Sequence, residues 1–349
     1  MSWYDVVRRG LAAGPARRAL ASVESKSSWP KNRLVVLMYH RIDHDHGDGR
    51  YPGLISATPN EFRRQIGYLA DHYRIVSIDE LRAAALGSEE LPDRAVLLTF
   101  DDAVDDFRRN ALPTLSAHGA PAAVFVPTAF VGDPEGVFWW DAMHAAVTTT
   151  ERRDEVDTPA GRLLLATATD RSAAYRRLRD YCLTLTNTAA TELATSICAD
   201  VEVQPPPAAV MDWDDLRAIE SAGIACCPHT RSHAHLDHLT ADEIREEVGG
   251  SLADLRRELA APPAAFAYPA GLVTDAVTDA VRDAGIELAF TTERGTNIVR
   301  SQDPLALRRI NVSRRTGFEV TRTQFLPLAD RLRAHATRRE PSPGQRSQR

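Results

Sequence analysis

Short apolar runs alternate with helical patterns along most of this chain, and no other feature of the sequence restricts its fold as strongly. LVVLMYH (34–40), RIVSI (74–78), AVLLTF (95–100), PAAVFVP (121–127), IACCPH (224–229), AAFAYP (264–269) and IELAFTT (286–292) read as buried strands. Helical stretches stand between them. In TPNEFRRQIGYLADH, Thr58 is placed to cap a helix with Phe62, Ile66 and Leu69 on one face. DDFRRNALPTLSAHG, WDDLRAIESAG, TADEIREEVGGSLADLRREL and DAVTDAVRDAG have the same character. Strands separated by helices pair in parallel, so the chain reads as α/β, with a sheet either open or closed into a barrel.

The rhythm breaks between residues 135 and 212. VFWWDAMHAAV, a Thr/Asp/Arg-rich middle, a helical stretch around RSAAYRRLRDYCLTL and the PPP of 205–207 read as a mostly helical insertion. Residues 1–32 form an N-terminal extension. Trp3, Val6, Val7 and Leu11 have helical spacing beside Arg8 and Arg9, which suits a docking helix, a frayed terminus or peripheral contact with a membrane surface. A main domain over 33–325 follows. The basic tail, 326–349, is rich in Arg, Ser, Pro and Gln and is expected to be disordered. Residues 1–30 and 331–349 are expected to be dispensable for folding.

Composition excludes several classes. A formal net charge of -6 offers no basic field for nucleic acid. No apolar run is long enough to cross a membrane. The N-terminus lacks the apolar core of a signal peptide, which points to the cytoplasm. Cys182, Cys198, Cys226 and Cys227 contain no CxxC pair, so neither a disulfide framework nor a zinc ribbon is indicated. The oligomeric state is not legible.

Three short segments carry chemistry, each at a strand end, where parallel α/β folds place their sites. In TFDD (99–102), Asp101 and Asp102 point in different directions, so one can bind a metal while the other handles a proton; a helix cap would also explain an aspartate there. In HTRSH (229–233), His229 and His233 could reach one ion if they occupy a helical turn, or could be ordinary loop histidines. In AYPAG (267–271), Pro269 and Gly271 make a tight turn that could bring Tyr268 to the rim of a site.

The order YH, TFDD, HTxxH, YPxG resembles the polysaccharide deacetylase family, carbohydrate esterase family 4, whose domain is also called the NodB-homology domain. The flanks LVVLMYHRI, ALPTLSAHGAPAAVFV and WDDLRAIESAGIACCPHTRSHAHLDHL are similar too, so the resemblance spans roughly residues 34–312 outside the insertion. It implies a distorted (β/α) barrel of about seven parallel strands. It also implies one divalent metal on Asp102, His229 and His233, and two nitrogens with one carboxylate suit Zn²⁺. Asp101 would be the general base acting on water at that metal, and Thr230 would buttress the histidine loop. The implied reaction is hydrolytic removal of N-acetyl groups from an N-acetylhexosamine-containing carbohydrate.

Three positions depart from the family pattern. Ala103 replaces the glycine of TFDDG. Tyr268 stands where studied members carry an arginine that orients the catalytic aspartate. The late Leu-x-Ile-His motif corresponds to LRRINV (307–312), with Asn311 in place of the acid histidine. His40 is the substitute candidate for that acid, with a structural role as the alternative; Asp101 could also serve as both base and acid. Tyr268, Pro269, Trp213 and Trp140, with Trp139 beside it, are the candidate substrate contacts, since aromatic faces pack on sugar rings. Two other readings use the same residues: a metal-dependent amidase or esterase on a non-sugar substrate, and a degenerate carbohydrate-binding member. Retention of Asp101 favours catalysis, because holding a metal needs no second aspartate.

Overall fold

A computed structural model describes residues 14–271 and 273–326. The amphipathic pattern of residues 3–11 and most of the basic tail lie outside the described residues. Seven parallel strands build the core: β1 (Arg33–Tyr39), β2 (Ala95–Phe100), β3 (Ala122–Val126), β4 (Ile224–Pro228), β5 (Ala265–Ala267), β6 (Leu288–Arg294) and β7 (Leu307–Asn311). Their order is β5-β6-β7-β1-β2-β3-β4. The two outer strands, β4 and β5, approach each other and nearly close the sheet into a barrel. Among the described residues no backbone ladder joins them.

Alternation along the strands separates two apolar faces. Leu34, Val36, Leu97, Phe125, Phe290 and Leu307 pack together inside the barrel. Val35, Leu37, Val96, Leu98, Val124 and Val126 face the surrounding helices. The amino-terminal end is plugged by the helix Ile78–Ala85, through Ile78, Leu81 and Ala84. This corrects the reading of 74–78 as one strand. Only Arg74–Ile75 pairs with β2, because Ser77 and Glu80 form a capping box that starts the helix. The box at Thr58 and Glu61 starts the helix over Pro59–His72 as expected.

The insertion is helical, as read, apart from a small hairpin of Glu155–Val156 with Leu163–Leu164. Trp139–Thr148, Ala168–Cys182 and Asn187–Asp200 are its helices. Its aromatic and aliphatic side chains belong to the same core as the outer face of the sheet, so it is part of the domain.

Among the described residues of the N-terminal extension, Gly14–Lys26 is helical and docked. Leu20 and Glu24 are buried. Glu24 pairs with the buried guanidinium of Arg322, which lies 3.8 Å over the ring of Tyr68. Trp29 stacks under Arg33. Among the described residues, 14–30 thus dock on the barrel through the Glu24–Arg322 ion pair and the Trp29 ring, which bears against the dispensability that composition suggested for this part of the segment.

Two outcomes are expected in unfolding experiments. Starting the chain at Lys31 strands Arg322 without its carboxylate, which costs about 3–5 kcal/mol; urea unfolding of that truncation should show a clearly lower midpoint, and an unchanged midpoint would refute the anchoring role. The second concerns Asp106, whose carboxyl is pushed up to about 7 by burial, only partly offset by Arg41. The folded state holds that proton more tightly than the unfolded state, so stability falls as pH rises from the ordinary carboxylate range to about 7. Asp106→Asn should raise Tm by several degrees at pH 8 and by little at pH 4; an equal change at both would rule the linkage out.

Candidate active site

The carboxyl ends of the strands meet in a pocket of about 210 Å³. Residue parity decides what enters it. Asp101 continues the inward set of Leu97 and Thr99, and its N–H donates to Tyr39 O as if the strand went on. The chain then turns sharply, with Asp102 at φ 72 and Ala103 at φ 50. Glycine occupies such angles freely and alanine does so at a cost of about 1–2 kcal/mol. The turn is held by Met211 N donating to Ala103 O and Asp105 N donating to Ala209 O. The exit segment of the insertion thus clamps the aspartate turn.

His229 follows β4, and its Nδ1–H donates to Ala267 O of β5 at 2.7 Å. That bond fixes the tautomer and leaves Nε2 with a free lone pair. Nε2 of His229 lies 3.7 Å and Nε2 of His233 lies 3.3 Å from Asp102 Oδ1. Asp102 Oδ1 is buried and accepts no hydrogen bond. Metal–ligand distances of about 2.0–2.2 Å in a tetrahedral site put ligand atoms roughly 3.3–3.6 Å apart. The three donors, all buried and mutually close, fit one divalent ion.

The histidines do not share a helical turn, which corrects the reading of HxxxH. They sit on a loop with Thr230 at φ 64 and His233 at φ 57. Thr230 Oγ1 accepts from Ala234 N. Glu247 grips the loop from outside: one carboxylate oxygen accepts from Arg231 N and Ser232 N (2.8 and 2.9 Å), and the other accepts from Ser232 Oγ (2.8 Å). Asp254 accepts from both the Arg231 guanidinium and Thr128 Oγ1. From the insertion, Asn187 Nδ2 donates to Ser232 O.

Arg309 is the functional residue that sequence reasoning missed. Its guanidinium is buried and forks Asp101, with Nη1 2.6 Å from Oδ1 and Nη2 2.9 Å from Oδ2, while Nε donates to Thr291 O. The signal was present. In LRRIN, Arg309 shares the inward face of Leu307, and an arginine inside a barrel needs an anion. Burial acts to raise the Asp101 carboxyl, but Arg309, His229 and His40 together hold it below the usual carboxylate range. Asp102 is likewise depressed, against burial, chiefly by His233. Burial lowers His229 to about 4, so it is neutral and able to ligate.

The other candidates divide. His40 lines the pocket with Nε2 4.0 Å from Asp101 Oδ2, and its backbone N–H donates to Ser56 Oγ. Trp140 lines the pocket and packs 4.8 Å from His233. Tyr268 touches the pocket, but its ring lies in the outer core with Phe266 and its hydroxyl donates to Leu305 O. Pro269 is buried and Trp213 packs at the start of the helix Trp213–Ser221; neither is among the pocket residues. Ala270 and Thr292 take the rim of the pocket in their place. Asn311 is exposed, opposite Met38. The insertion adds an unforeseen wall of Tyr175, Arg179 and Leu183.

Because Glu247 holds the loop that presents both histidines, Glu247→Ala should weaken metal binding about 10–100-fold. Competition with a chromophoric chelator measures it, alongside Tm of the metal-free protein. Unchanged affinity, or a loss fully matched by global destabilisation, would exclude this positioning role.

Comparison with known proteins bears on the family and the fold. A family model described as polysaccharide deacetylase matches residues 88–289. The poly-beta-1,6-N-acetyl-D-glucosamine N-deacetylase of Escherichia coli (strain K12) is 33% identical over 102 residues, which is 29% of this chain and 15% of that protein. Among solved structures, the Streptococcus pyogenes deacetylase PplD in complex with acetate superposes with a TM-score of 0.59 at 20% identity, covering 85% of this chain and 100% of that one. IcaB from Ammonifex degensii gives 0.54 at 20% identity, covering 83% and 96%. The fold is shared with both, and the match over more than half the sequence identifies the chain as a member of the polysaccharide deacetylase family.

Proposed function

We propose that this protein hydrolyses N-acetyl groups from a glycan containing N-acetylhexosamine, with a poly-N-acetylglucosamine chain as the leading substrate. The observation that carries the reading is the isolated carboxylate of Asp101. It is held ionised by a buried guanidinium, faces the pocket, and stands beside a metal triad that does not use it. The partial match to an enzyme acting on poly-beta-1,6-N-acetyl-D-glucosamine supports the choice of sugar.

Asp102, His229 and His233 would hold the metal, for which zinc suits the donor set. Bound there, such an ion supplies Lewis acidity, polarising the amide carbonyl and lowering the pKa of water from about 16 towards about 7. Asp101 takes the proton as water oxygen bonds to the acetamide carbon. Arg309 keeps that carboxylate aimed and ionised until the proton arrives. The carbon–nitrogen bond then breaks, and the departing amine needs a proton. His40, at the same rim, gives it; the products are acetate and a free amino sugar. Trp140 supplies an aromatic wall for the sugar face.

Asp101→Asn should retain the metal and lose activity on N-acetylglucosamine oligomers by about 10²-fold or more. His40→Gln should lose rate on the amide, yet keep most of its rate on 4-nitrophenyl acetate, whose leaving group needs no acid. If Asp101→Asn stays active, the base lies elsewhere. If His40→Gln loses both substrates equally, the donor is not His40 and Asp101 must return the proton itself.

A further inference from the structure

The insertion carries a second concavity, larger than the catalytic pocket. A groove of about 820 Å³ runs along the helix Asn187–Asp200, bounded on the other side by residues 134–137 and 203–207. The catalytic pocket, at about 210 Å³, is smaller than the roughly 300–1,000 Å³ of sites that enclose a ligand. It has room for little more than one sugar unit, so the rest of a glycan must lie on other surfaces.

The groove lies beside the catalytic pocket without sharing a lining residue with it. Asn187 lines its inner end and donates to Ser232 O of the histidine loop. Leu183, on the turn before that helix, lines the catalytic pocket. Phe130 lines the groove and packs 4.9 Å from Phe138, which stacks 4.5 Å from Trp140, the residue against His233. One aromatic partition therefore stands between the groove and the metal triad. The helix itself is about 21 Å long, enough for a few sugar units laid along it.

The lining chemistry selects a ligand class. Thr188, Thr191 and Thr195 repeat on one helical face. Thr191 and Thr195 donate their hydroxyl protons to the carbonyls of Asn187 and Thr191, which leaves their oxygens as acceptors for a ligand's hydroxyls. Asn187 Oδ1 is buried without a partner. The charged lining residues, Glu135 and Glu192, are both acidic, and no Lys, Arg or His lines the groove. Acceptors and carboxylates suit a neutral or amine-bearing sugar chain and disfavour uronates or phosphates.

Resting on the glycan reading above, we infer that this groove is a distal subsite that holds the sugar units flanking the one being deacetylated, and that it takes neutral or already deacetylated, cationic units. Kinetics on the dimer and hexamer of N-acetylglucosamine test it. Wild type should show a lower KM for the hexamer. Thr191→Trp, which fills the groove, and Glu192→Arg, which reverses its charge at an exposed position, should each raise the hexamer KM about tenfold, equivalent to 1.4 kcal/mol, with dimer kcat and KM unchanged. A hexamer KM that stays put in both variants, or one that rises in step with the dimer, overturns the subsite. Calorimetric titration with the glucosamine hexamer, which cannot be turned over, gives an independent arm. Binding to wild type that weakens in Glu192→Arg supports the groove even if no oligomer is deacetylated, in which case only the activity reading fails. No binding of the glucosamine hexamer to wild type, or binding indifferent to Glu192, overturns the inference.

Discussion

The hydrogen bond from His229 Nδ1 to Ala267 O joins the architecture of this protein to its chemistry. Among the described residues no backbone ladder joins β4 and β5, so an imidazole ring spans the seam where strand hydrogen bonds would otherwise run. The same bond decides which ring nitrogen carries the proton and therefore which one can ligate. Burial, which drives His229 to about 4, keeps the ring neutral. Seam closure, tautomer and ligand readiness are consequences of one contact.

A second constraint acts from the opposite side of the lumen. A guanidinium as buried as that of Arg309 is tolerated only with an anion in bidentate contact. The chain lacks the arginine expected at Tyr268 and brings an equivalent charge to Asp101 from β7. Tyr268 is then free to serve as core, with its hydroxyl closed off on Leu305. The departure that put the tuning of Asp101 in doubt is compensated two strands away, counting around the sheet from β2 through β1 to β7.

What the sequence revealed follows from what local pattern can encode. The parallel barrel was legible because buried strands and amphipathic helices differ in period. Asp101, Asp102, His229 and His233 were legible as a group because each follows a strand end. The capping boxes show the limit of apolar pattern alone: Ser77 and Glu80 override what read as a continuous strand. Contacts between residues distant in the chain were not legible. Neither the Glu24–Arg322 pair nor the wall of Tyr175, Arg179 and Leu183 leaves a local trace. Trp213 and Pro269 do not line the pocket, because nearness in sequence to a motif does not determine where a side chain points. Arg309 was recoverable, since parity with Leu307 placed a charge where only apolar groups or a partnered ion can stand.

The placement of the insertion bears on how the native state is reached. Residues 135–212 lie between the strand that neighbours the aspartate turn and the strand that leads into the histidine loop, and both halves of the site depend on them, through Met211 at Ala103 and Asn187 at Ser232. Joining the two halves closes the longest connection between consecutive strands of the sheet, and such a closure carries an entropic cost. Asp102 and Ala103, at positive φ, are clamped by the exit segment of the insertion, and Thr230 and His233, also at positive φ, sit on a loop that Asn187 and Glu247 hold from two sides. An ion that binds only the assembled triad stabilises the whole chain by mass action, so the stability of this protein and the supply of its metal are one coupled quantity.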